Sequence, residues 1–133
     1  MDIKRKLMEE IGLSVNKRGE YTDQDTLQIL KIKNKVAKEY NIRKNDVEFK
    51  PLENQRHSEE LLKYCDSKDN FNIISFGTTL ENDGKYSCTI TTKEEKMTSN
   101  NYNNPALGYI ENIFKLYGED VDLSNLDIEK DDK

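Results

Sequence analysis

His57 is the only histidine in this chain, and Cys65 and Cys88 are its only thiols. Imidazole proton transfer, nucleophilic sulfur chemistry or a soft-metal site would have to be built from these three residues. Arg56, Glu59 and Glu60 flank His57, and Cys65 follows about two helical turns later. Zinc sites need more ligands at recognisable spacings, and neither C-x-x-C nor H-x-x-x-H occurs. Each cysteine lies in an apolar pattern, which makes it a small core hydrophobe. Asp66, Asp69 and Asn70 lack the alternate spacing of a calcium loop, and both glycine-rich phosphate signatures, G-x-x-x-x-G-K-[ST] and G-x-G-x-x-G, are missing. The sequence therefore assigns no catalytic residue, no metal ligand and no cofactor, and reads as non-enzymatic.

Three groups of residues are suited to binding. The tail is acidic: Glu119, Asp120, Asp122, Asp127, Glu129, Asp131 and Asp132 stand against Lys130 and Lys133. Val121, Leu123, Leu126 and Ile128 interrupt the acids, so Asp120, Asp122, Leu123 and Leu126 could dock on a protein with a basic surface, or the segment packs back onto its own domain. The second group surrounds Gly77, a glycine within a strand, which marks a bulge or a close approach by a ligand or another backbone. With Ser75, Thr79 and a cation from Arg43 or Arg56, it could hold a small anionic or nucleotide-like molecule. The third group is Lys31, Lys35 and Lys38, one face of a basic helix able to track phosphates; without aromatic interleaving or a reading motif, a solvated helix face is the simpler account.

The elements that must position these residues centre on residues 71–92. The arms FNIISFGTTL and KYSCTITT alternate Ile74, Phe76, Thr78, Leu80 and Tyr86, Cys88, Ile90, Thr92, as half-buried strands do. A loop Asn82-Asp83-Gly84 pairs Leu80 with Tyr86, Thr78 with Cys88, Phe76 with Ile90 and Ile74 with Thr92, with Gly84 at the left-handed position. A loop of Asp83-Gly84 alone would set apolar residues against polar ones along the ladder.

Before the hairpin, helical spacing predicts a short helix over residues 2–11 and a core helix from Thr22 or Asp23 to about Asn41. Asp46 to Lys50 reads as a short strand stopped by Pro51. Ser58 caps a helix to about Cys65, with Glu59 and Glu60 in its first turn. After the hairpin, the polar residues 98–104 read as a mobile loop. The last helix starts at Asn104-Pro105, ends at Gly118 and crosses the buried face of the hairpin. These elements predict one α+β domain over residues 1–128, a small antiparallel sheet with helices mainly on one face, followed by disorder at 129–133. The other sheet face is left to solvent or to a second copy of the chain.

Length and composition set the bounds. The 133 residues suffice for one cored domain, and 34% hydrophobic residues against 35% charged, with no Trp, keep that core small. A net charge of -5 disfavours an obligate nucleic-acid binder. No apolar run approaches the roughly 18 residues of a membrane span, and Lys4-Arg5-Lys6 is followed by no signal-peptide core. The expected setting is the cytoplasm, with reduced thiols. Abundant Lys, Asn and Ile with little Arg accompany AT-rich genomes, including phages and plasmids. The expected function is that of a small interaction protein that binds, and in one version inhibits, a partner protein, as phage accessory or immunity proteins do. A ligand-sequestering module is the alternative, and nucleic-acid binding the third.

Overall fold

The computed structural model describes residues 50–127 and, upstream, Leu7, Asn34, Lys35, Ala37, Lys38, Asn41 and Arg43. The chain forms two compact units, residues 1–50 and 51–133. In the first, Leu7 and Ala37 are helical and buried, while Lys35 and Lys38 are helical and exposed. Asn41 has φ 55 and its N–H reaches the Lys38 carbonyl at 3.2 Å, where the expected helix should end. The remainder of the two expected N-terminal helices, residues 46–49 of the expected strand and the tail beyond Asp127 lie outside the described residues; Lys50, the last residue of that expected strand, is exposed and not in a strand.

The second unit opens with α1 (Gln55–Asp69). Asn54 is its cap, accepting a hydrogen bond from the His57 N–H at 3.2 Å. This corrects the expectation that Ser58 starts the helix. Ser58 lies inside it, donating its hydroxyl to the Gln55 carbonyl at 2.7 Å, and Glu59 and Glu60 fall beyond the first turn. The helix also runs past Cys65, because Asn70 adopts φ 53 and donates its N–H to the Asp66 carbonyl at 2.8 Å. Leu61, Leu62 and Cys65 are its buried side.

Three antiparallel strands follow in the order β1 (Ile73–Leu80), β2 (Tyr86–Thr92), β3 (Lys96–Thr98). The hairpin turn has Gly84 at φ 81, the Gly84 N–H bonded to the Glu81 carbonyl at 3.0 Å, and the Asp83 carboxylate accepting from the Lys85 N–H at 2.9 Å. Leu80 pairs with Tyr86, Thr78 with Cys88 and Phe76 with Ile90, the register expected from the turn. The expected pair Ile74–Thr92 is replaced by Ile73–Thr92, with the register shifting between Ile73 and Ser75. The irregularity therefore falls at Ile74, while Gly77 pairs regularly with Thr89. Asn72 at φ 61 and the Ile73 N–H held by Asp66 Oδ1 at 3.4 Å fix how the chain enters the strand.

The stretch 98–104 is pinned rather than a free loop. Tyr86 and Tyr102 exchange backbone hydrogen bonds of 2.7 and 2.8 Å. Buried Glu111 accepts from the Asn100 N–H at 3.2 Å and from the Tyr102 hydroxyl at 2.6 Å.

Helix α2 (Pro105–Leu116) begins as expected, the Asn104 side chain accepting from the Ala106 N–H at 3.0 Å. It packs on β2, and α1 packs on α2, so the helices lie on one side of this α+β sheet. Gly108 permits the approach: a β-carbon there would stand 2.5 Å from Cys88 Sγ. Residues of β2 that alternate with Cys88 and Ile90 carry hydroxyls, and Thr89 meets Thr98 across the strands at 3.3 Å. Among the described residues, the sheet is apolar toward the helices and carries hydroxyls on the reverse, the alternation of an antiparallel sheet. No helix among the described residues is long and apolar enough to cross a membrane.

Candidate interaction edge

Helix α2 covers the central strand, and β1 is left at the rim. Among the described residues β1 pairs with β2 alone. The Glu81 N–H donates to the Lys85 carbonyl at 2.8 Å, which sets the phase of the ladder: odd-numbered residues of β1 bond to β2. Along the regular part of the strand, Phe76, Thr78 and Leu80 therefore turn their amides and carbonyls outward. An exposed row of this kind is a template for another strand.

Side chains at this edge do nothing to repel one. The strand IISFGTTL holds no charge and no proline, the usual protections of an edge. Ile74 is 69% exposed and Leu80 63%. Phe76 is half-buried, its ring edge-on to Tyr109 of α2 with centroids 5.7 Å apart. Beside it lies a groove of about 320 Å³ between Leu62, Lys63 and Asp66 of α1 and residues 73–76 of β1. The outer part of the helix-side face is thus mostly apolar, with Lys63 and Asp66 at the groove, partly roofed and open.

The residues considered for chemistry are placed elsewhere. His57 is buried in the first turn of α1. Both cysteines are free and buried. Burial pushes the Cys65 thiol up to about 12; burial, then the charges of Glu111 and Glu59, push the Cys88 thiol up to about 12. Neither is a ready nucleophile near neutral pH. No cluster of three or more His, Cys, Asp or Glu side chains able to hold a metal occurs among the described residues.

The proposed ligand set is dispersed. Ser75 reaches the groove, whereas Gly77 and Thr79 are absent from its lining. Arg56 lies on α1, 3.7 Å from Glu59, and Arg43 is an exposed residue of the first unit. Of the basic face, Lys35 and Lys38 are exposed and Lys31 lies outside the described residues.

The ordered half of the tail packs back onto its own unit. Leu123 is fully buried, its N–H donating to the Tyr102 hydroxyl at 3.2 Å, so it is a core residue here and is not presented to a partner. The Asp127 carboxylate accepts from the Asn103 N–H at 2.7 Å and the Asn104 N–H at 3.1 Å. Asp122 bonds the Ser124 N–H at 3.0 Å, which holds its carboxyl below the usual carboxylate value. Asp120, Asp122 and Leu126 remain at the surface.

Sequence alternation assigned Phe76 and Leu80 to the covered face without marking them as a binding edge. The available signal was a charge-free strand in a chain that is 35% charged. No family model, curated protein or solved structure matches this chain.

Proposed function

We propose that this protein is a non-enzymatic interaction protein that captures a protein partner by strand addition at β1. The observation carrying this reading is the outer edge of β1: uncharged, unpaired among the described residues, and bordered by exposed Ile74 and Leu80 beside an open groove. In this mode main-chain hydrogen bonds supply affinity, and pockets for alternate side chains supply specificity. The groove beside Phe76 is such a pocket. The reading includes a cytoplasmic setting, with which the free thiols agree, and inhibition of the partner wherever β1 displaces that partner's own strand.

The test is a photo-activatable residue placed at Thr78 in the full chain, expressed in its own cells. A covalent adduct of defined mass, lost on Leu80→Lys, is expected. Adducts that form from Asp120 but never from Thr78 would move the interface to the tail.

A further inference from the structure

The partner at this edge can be specified, on the reading just given that β1 is an interaction edge. We infer that it is a second copy of this chain, its β1 antiparallel to the first about a twofold axis through Thr78. A twofold contact brings one patch against itself, so the patch must be self-complementary. Outward-turned residues must meet outward-turned residues, which limits the axis to a few positions. An axis at Gly77 sets Phe76 against Thr78, apolar on polar. At Thr78 the axis sets Phe76 against Leu80 of the other copy, and does so twice. Both side chains lie on the helix side, and Leu80, 63% exposed in the single chain, then enters the other copy's apolar surface beside Phe76 and its groove. Knob and hole stand on one strand, four positions apart, in the arrangement that antiparallel pairing exchanges.

Charge and glycine placement point the same way. The chain carries a net charge of -5, which opposes contact between copies over most of its surface. Residues 73–80 carry no charge, so no like charges meet across the strands in this register. Among the described residues Gly77 has no steric reason to be glycine: a β-carbon there would meet none of them within 4 Å, and its φ is not in the left-handed region. Across the axis Gly77 faces Thr79 in a non-hydrogen-bonded pair, where the two backbones come closest. The missing side chain makes room for the branched threonine.

Sedimentation of the full-length protein over a concentration series tests this. A reversible monomer–dimer equilibrium is expected. Leu80→Lys, which would set a cation against Phe76, should weaken it about tenfold or more. Thr78→Pro, which deletes the outward amide at the axis, should do likewise. Circular dichroism melts of both variants establish that they fold. A dimer undiminished in two folded variants, or a monomer at every concentration, overturns the second copy. In the monomeric case, Thr78 photo-adducts decide the underlying reading: an adduct with a different protein keeps β1 as an interaction edge, and no adduct removes both.

Discussion

Gly108 lies so close to Cys88 that a β-carbon at 108 would stand 2.5 Å from the Cys88 sulfur and 2.8 Å from Ser99 Oγ. Helix α2 therefore presses directly onto β2 and the start of the 99–104 segment. Gly108→Ala should destabilise the fold by about 2 kcal/mol or more through overpacking, read from denaturant unfolding. Adding Cys88→Ala should recover part of the loss, because the two changes share a contact and do not add. Gly77→Ala is the contrast: the single chain should gain about 0.5 kcal/mol, while self-association weakens. Equal effects of alanine at the two glycines would contradict both assignments.

The Asp127 carboxylate fastens the residues that enter α2. Asp127→Ala should cost about 1.5–3 kcal/mol, the range for hydrogen bonds to a charged group. The amides of Asn103 and Asn104 should then exchange hydrogen faster than in the parent. Unchanged exchange at both would show that the clamp contributes nothing.

The tail's two roles separate by substitution. Leu123→Ala should destabilise by about 2–5 kcal/mol, as for a buried leucine. Asp120→Lys with Asp122→Lys should leave stability and partner binding nearly unchanged. Loss of binding in the charge-reversed protein, with the fold intact, would restore the tail as the interface.

Both thiols titrate far above the ordinary value of 9.0, at about 12, chiefly because they are buried. The folded state holds their protons more tightly than the unfolded state does. That contribution to stability is complete below about pH 9 and is lost as the pH rises toward about 12. Unfolding free energy of Cys65→Ala should therefore fall less steeply between about pH 9 and 11 than that of the parent. At neutral pH the native protein should resist iodoacetamide until it unfolds. Rapid native alkylation at either cysteine would contradict the burial argument.

The hairpin register was legible because Asn82-Asp83-Gly84 admits one turn in which both arms keep their apolar faces together. The cap at Asn104-Pro105 was legible for the same reason: local residues satisfy local backbone groups. Ser58 misled because Asn54, four residues earlier, caps equally well and the window contains no feature that ranks them. Nothing local announces that Lys96–Thr98 is a strand or that 98–104 is held, since the groups that fix the segment, Glu111 and Asp127, come later in the chain. The edge site was half-legible. Alternation places Phe76 and Leu80 on the helix side, but only packing decides that α2 stops at β2 and leaves them at the rim.

Amide hydrogen exchange along β1, measured residue by residue at low and high protein concentration, tests the open edge most directly. In dilute protein, Gly77 and Thr79 should be protected and Phe76, Thr78 and Leu80 should exchange freely; at high concentration the latter three should become protected. Protection of Thr78 in dilute protein would mean that the edge is already covered within the chain. Free exchange at every concentration would mean that no second copy occupies it.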